Sequence, residues 1–391
     1  VGASTINEAM KMAAVRAIAQ LAHDAPSDVV AKAYGGETKT YGKDNLIPSP
    51  FDPRLILRIA PAVAKAAMDS GVARKPITDF AAYEEQLSRF VFRSGFIMKP
   101  LLQAAKANPR RVIYAEGEDE RVLRAVQSVV EEGIAKPILI GRPEVVDARV
   151  LRFGLTIRRG KDFDLVNPEK DDRYRDYIAT YLEVAGRNGI TPAAARTLVR
   201  TNTTVIAALA VHRGDADAMI CGLEGRFNSR LQHITDIIGL LPGATALSAM
   251  SLMITNKGAF FLADTHVRLD PSAEAIAEIT LMTAEHVRRF GIEPKIALVF
   301  HLFFGSHTTP SALKMRKALE LVRVADPNLQ VDGEMQADSA LSQMIRDRVL
   351  PNSTLRGEAN VLVMPNLDAA NIAFQMTKLM ADALPVGPII L

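Results

Sequence analysis

The chain has a single cysteine, Cys221, in 391 residues. One thiol permits neither an internal disulfide framework nor a cysteine-based zinc site, which fits a reducing compartment and a cytoplasmic expectation. Long apolar runs are also lacking. Stretches such as 361–364 fall far short of the roughly 20 residues that cross a bilayer. No basic cluster with interleaved aromatics occurs and the net charge is +3, so neither nucleic acid nor a membrane is an expected partner. No apolar signal core follows Val1, which suggests a fragment of a longer protein rather than a targeted precursor. What remains is ordinary globular material. With 48% apolar and 23% charged residues, the chain can bury one or two cores.

The first hundred residues read as helical. Thr5 to Glu8, TINE, has the form of a capping box, and Ala13, Ala17 and Leu21 continue an alanine-rich helix. Residues 34–53 concentrate Gly and Pro and predict irregular surface chain. Within them, Gly35-Gly36 is the nearest approach to a dinucleotide loop, but it lacks G-x-G-x-x-G and no strand precedes it, so a turn is expected. A second helix over 55–70 ends at Gly71, residues 72–76 suit a boundary, and a helical arm over 81–107 should kink or break at Pro100.

From Arg110 onward the pattern changes. Short apolar runs over 112–115, 137–140, 218–221, 259–263, 296–300 and 361–364 alternate with helical segments such as 119–132, 273–289 and 312–323. That alternation predicts an α/β fold, a parallel sheet covered by helices on both faces. Met250, Met253, Met282 and Met315 read as core packing. The last unit, 361–390, is the most complete: a strand, a loop of Pro365, Asn366 and Asp368, a helix with Ile372, Met376 and Met380 on one face, and the start of another strand. A loop at the carboxyl end of a parallel strand is where such sheets bind anionic or phosphorylated ligands.

Several polar clusters fall in such loops. Arg226, Asn228 and Arg230 lie in CGLEGRFNSRL, after the predicted strand 218–221, and are candidates for ligand phosphates or solvated surface residues. Asn202, Thr203 and Thr204 can donate to a phosphate or pantetheine, or cap a helix; capping is the favoured reading. Asp264, Thr265 and His266 make a poor metal signature without further ligands, and hydrogen bonding is expected of them. The run EGEDER over 116–121 suggests a helix start, where acids oppose the dipole, ahead of magnesium. His301 and His307 flank Ser306, but no acid is evident to orient either ring for nucleophilic chemistry.

The segments VIYAEGEDERVLRAV, ADAMICG, VDGEMQADSAL, GEANVLVMPNLDAANIAF and PVGPII resemble the phosphate acetyltransferase family from about Ser94 to the end. The opening VGASTINEAMKMAAVRAIAQLA and IPSPFDPRLILRIAPAVAKAAMDSGVA resemble the tail of the nucleotide-binding domain of malic enzymes. Together they resemble the large bacterial NADP-dependent malic enzymes with a phosphotransacetylase-like C-terminal domain. The resemblance implies a tail over 1–76, a linker over 77–93 and a two-lobed phosphotransacetylase-like domain over 94–391, its second lobe inserted at about 240–368. It implies that the parent's NADP site, its divalent metal (Mg or Mn) and its lysine–tyrosine pair precede TINEAMKMAA, outside this chain.

Acyl transfer builds negative charge on phosphate and on a tetrahedral oxyanion, so the family needs positioned arginines. By resemblance, Ala185 stands at one arginine position, Gln232 and His233 at an Arg-Pro pair, and a further Ser-Arg pair and aspartate lie past Leu391. Gly305 and Ser306 keep the Gly-Ser ending of the family's Ser/Thr-rich turn, while Leu302 and Phe303 replace polar residues. The expectation is a non-catalytic module that binds acetyl-CoA through Thr203, Arg226, Asn228, Arg230, Asp264, Gly305, Ser306 and Asn366, in a homo-oligomer built from dimers. An active phosphate acetyltransferase and a ligand-free assembly scaffold are the alternatives.

Overall fold

The computed structural model describes residues 1–23, 41–43, 46–48, 52, 54–255 and 257–391. The Gly35-Gly36 turn lies outside them. The chain divides into two units: residues 1–101 with 245–391, and residues 102–244.

The second unit holds a four-stranded sheet in the order β3-β2-β1-β4, formed by β1 (Arg110–Tyr114), β2 (Ala135–Ile140), β3 (Asp164–Val166) and β4 (Ala218–Ile220). Every pairing is parallel. Helices cover both faces, so alternate residues of one strand feed two cores. Ile113 and Ile140 enter one core with Tyr177, Val199 and Leu209, while Tyr114 and Leu139 enter the other with Leu123, Val126 and Phe163. This double burial is why the strands read as continuous apolar runs.

The other unit carries six strands in the order β10-β5-β6-β9-β7-β8: β5 (Ala249–Thr255), β6 (Gly258–Ala263), β7 (Lys295–Val299), β8 (Gln330–Met335), β9 (Val361–Val363) and β10 (Leu384–Ile390). The expected parallel sheet holds for β6, β9, β7 and β8. It needs correcting at one edge, where β10 and β5, and β5 and β6, are antiparallel. Only two residues join β5 to β6, too few for a crossover. Residues alternate between cores here as well: Ile296, Leu298, Val361 and Val363 face one, and Ala297, Leu362 and Met364 the other.

Two further corrections concern helices. The first helix is Glu8–His23, and its cap is Asn7, whose Oδ1 accepts from the Met10 N–H at 3.0 Å, rather than Thr5. Phe80–Ala107 is one helix through Pro100. The helix Leu367–Met380 buries Ala370 and Phe374 and leaves the face of Ile372, Met376 and Met380 exposed.

Candidate functional site

In the four-stranded unit β2 and β3 build outward from β1 on one side and β4 adds on the other, so the direction of winding reverses between β1 and β4. At such a switch point the loops leaving neighbouring strands diverge and leave a crevice at the strands' carboxyl ends. A cavity of about 610 Å³ occupies this place. Its walls come from the loop after β1, the end of β2, the start of the helix Thr203–His212 and the loop after β4.

Two glycines let the walls close. A Cβ on Gly117 would stand 2.7 Å from the Ile140 carbonyl oxygen, and one on Gly141 2.9 Å from Val146 Cγ2. Gly117 N–H donates to that same Ile140 carbonyl at 3.1 Å, joining the β1 loop to the end of β2.

The carboxylates of the β1 loop are mostly engaged. Glu118 accepts from Arg142 Nε at 2.9 Å and Nη2 at 2.8 Å, and these bonds hold its carboxyl below the usual carboxylate range. Asp119 caps the helix Glu120–Glu132, accepting from the Arg121 N–H at 2.8 Å, and the Arg121 guanidinium holds it down to about 2. Glu116 Oε1 accepts from the Gly222 N–H at 3.1 Å and stands 3.6 Å from Arg230 Nη2. No group of three or more His, Cys, Asp or Glu side chains is gathered as metal ligands among the described residues.

The cations divide into engaged and free. Arg230, which the sequence left as either a phosphate contact or a solvated surface residue, donates to the Glu224 carbonyl at 2.9 Å and to Thr204 Oγ1, so its guanidinium is already occupied. Arg149 lines the cavity and donates to the Glu118 carbonyl. Arg226 also lines it, exposed at the start of the helix Phe227–Ile238, and its guanidinium has no partner among the described residues. Glu116, Glu118 and Asp119 each face an arginine, while Arg226 has no carboxylate partner among the described residues. The residual field favours an anion.

Two neighbours are muted. Burial lowers the pKa of the His233 imidazole, which lines the cavity. Burial likewise pushes the Cys221 thiol up, away from nucleophilic use.

The other predicted residues distribute as follows. Thr203 lines the cavity, at the first position of a helix capped by Asn202, whose Oδ1 accepts from the Thr204 and Val205 N–H groups at 3.1 and 3.3 Å. Asn228 is exposed on its helix and does not line the cavity; Ser229 does. Ala185 is buried in a core, and Gln232 bonds to Asp236 along its own helix at 2.7 Å.

Asp264, Gly305, Ser306 and Asn366 belong to the six-stranded unit, where they gather at the carboxyl ends of β6, β7 and β9. Asp264 is buried and accepts from the N–H groups of His266, Val267 and Arg268 at 2.9–3.0 Å. Its carboxylate shapes its own loop. Asn366 caps Leu367–Met380 through the Ala369 N–H at 2.9 Å. Gly305 N–H donates to Glu334 Oε1 at 3.0 Å, and Ser306 Oγ donates to the Phe303 carbonyl at 2.8 Å. Glu334, also paired with Arg316 at 3.2 Å, is the residue there that sequence reasoning missed. An acid inside an apolar strand, as in VDGEM, was the available signal.

A parallel sheet flanked by helices, with a crevice at its switch point walled by close-packed glycines, places this unit among the open α/β domains. The chain belongs to the phosphate acetyl/butaryl transferase family, whose pattern matches residues 96–391. Along its whole length it is 62% identical to the NAD-dependent malic enzyme of Rhizobium meliloti (strain 1021) and 49% identical to the NADP-dependent malic enzyme of Escherichia coli (strain K12), covering 51% and 52% of them. It thus spans about half the length of the curated relatives it matches. Among solved structures, a phosphotransacetylase from Streptococcus pyogenes superposes with a TM-score of 0.70 at 29% identity, over 75% of this chain and 88% of that one. The two-lobed α/β expectation holds.

Proposed function

We propose that this chain is the acyl-CoA-sensing portion of a malic enzyme, a module that binds acetyl-CoA without transferring its acyl group. The parent enzyme converts malate to pyruvate and carbon dioxide using NAD or NADP and a divalent metal, with those sites on the part of the protein outside this chain. The relatives differ in their dinucleotide, so the NADP assignment rests on part of them.

One observation carries the reading: the switch-point cavity offers Arg226, whose guanidinium has no partner among the described residues, toward an anion; by family resemblance, Ala185 and Gln232 stand where acyl transfer uses arginines. A phosphate of CoA meets a charge-assisted donor there, while by resemblance two of the arginines that serve the oxyanion of transfer are replaced. Regulation then requires that acetyl-CoA prefer one of two states of the oligomer.

The test is calorimetry of the full-length parent enzyme with acetyl-CoA, beside an assay for acetyl-CoA formation from acetyl phosphate and CoA. Binding with no formation is expected. Arg226→Ala should weaken binding by about 1.5–3 kcal/mol, roughly 10- to 150-fold. Steady formation of acetyl-CoA would overturn the reading in favour of a working transferase, and no binding at millimolar ligand in favour of a scaffold.

A further inference from the structure

The loop that carries Arg226 has little backbone support of its own. The last rung between β1 and β4 is the Ala115 N–H to Ile220 carbonyl bond of 3.0 Å. Beyond it, Gly222 and Gly225 take positive φ of 107° and 84°, which a helix or strand cannot continue. Among the described residues, the backbone of 222–225 makes two hydrogen bonds, and both go to side chains. The Gly222 N–H meets Glu116 Oε1 at 3.1 Å, and the Glu224 carbonyl meets Arg230 Nε at 2.9 Å. Those two side chains face each other at 3.6 Å, with Glu116 10% and Arg230 21% exposed. Arg230 also donates to the fully buried Thr204 Oγ1, at the start of the helix whose first turn lines the cavity.

We infer that Glu116 and Arg230 form a positioning latch, an internal ion pair that ties the β1 loop, the β4 loop and the start of Thr203–His212 together and thereby fixes how Arg226 reaches the cavity. Neither residue needs to touch the ligand. Arg226 leaves the chain at the boundary between the latched loop and Phe227–Ile238, so an unlatched loop lets its guanidinium wander. A half-buried pair suits this duty because removing one partner leaves the other without its countercharge. The inference deepens the acyl-CoA reading and rests on it for the identity of the ligand, but not for the latch itself.

Two variants of the full-length protein test it. Glu116→Gln keeps side-chain volume and an acceptor for the Gly222 N–H while removing the charge. Arg230→Met removes the guanidinium, and Arg230→Lys restores a cation without the fork. Hydrogen exchange of the Gly222 amide, the hydrogen-bonded N–H of this loop among the described residues, should speed up about tenfold or more in Glu116→Gln and Arg230→Met, with the β2 amides unchanged. Acetyl-CoA affinity should fall about tenfold in each, the double variant should be no worse than either single one, and Arg230→Lys should recover part of the loss. Unchanged exchange of the Gly222 amide overturns the latch. Tighter binding in Glu116→Gln also overturns it, by showing that the carboxylate occupies the ligand's own place. If the unaltered protein binds no acetyl-CoA, the functional reading falls, while the exchange comparison still decides the latch.

Discussion

Gly117→Ala is the smallest change that should damage the site. The added methyl would lie 2.7 Å from the Ile140 oxygen, 2.8 Å from the Ile140 nitrogen and 2.8 Å from Leu139 Cβ. Alanine has no rotamer with which to escape. The obstacle is β2 itself, held between β1 and β3, so the loop must yield and its 3.1 Å bond to the Ile140 carbonyl must stretch. Overpacking of this kind costs about 1–3 kcal/mol and the weakened hydrogen bond about 1 kcal/mol, offset by less than about 1 kcal/mol from a stiffer unfolded chain. The net loss is about 2 kcal/mol, a drop in melting temperature of about 4–8 °C for a unit of this size. Tyrosine fluorescence suits the measurement, because the chain has no tryptophan and Tyr114, Tyr174, Tyr177 and Tyr181 all lie in this unit. Gly186→Ala is the control, since its Cβ meets nothing within 4 Å and its φ of −60° is ordinary. Should the two variants melt alike, the close approach of the β1 loop to β2 is not what holds this wall.

Two more outcomes concern stability. Arg346 is fully buried and its guanidinium donates to the carbonyls of Ser339, Ala340, Leu355 and Gly357, so Arg346→Met should destabilise the six-stranded unit by about 3 kcal/mol or more, read as a lowered urea midpoint. A midpoint within error of the parent would contradict that role. Asp119, held to about 2 by Arg121, and Glu118, held low by Arg142, favour the folded state fully above the ordinary carboxylate range, and the benefit drains away as pH falls toward about 2. Arg142→Gln should therefore flatten the acid limb of a stability-versus-pH curve, and an unaltered limb would show that Glu118 carries none of it.

The sequence revealed strands wherever burial on both faces produced a continuous run of β-formers. β1, β2, β6, β7 and β9 were visible for this reason, while β4 was visible as an apolar run although Ala218 and Ile220 are exposed. β5 was not, because AMSLMIT mixes Ala, Met and Ser, residues whose strand preference is weak and whose burial comes from the sheet around them. β8 hid behind Asp332 and Glu334, acids that tertiary partners satisfy. At the site, Asp119 and Asn202 were legible as caps, since capping is local chemistry. The occupation of Arg230 was not: its partner Glu116 is more than a hundred positions distant, and no local pattern reports it. Likewise the exposed face of Leu367–Met380 has a helix period that looks the same whether it is covered or bare.

The split arrangement of the units has a consequence during synthesis. Ile97, Met98 and Leu101 pack on a core whose other members begin at Met250, yet residues 102–244 must emerge in between. At about 5–20 residues per second, the ribosome leaves these early apolar side chains waiting roughly 7–30 s for their sheet. In the intervening unit β1, β2 and β3 can zip as they appear, but β4 pairs Ala218 with Val112 and arrives last. The nascent chain therefore shows an open sheet edge and an orphaned helix face at the same moment, which is the interval in which a chaperone has most to hold.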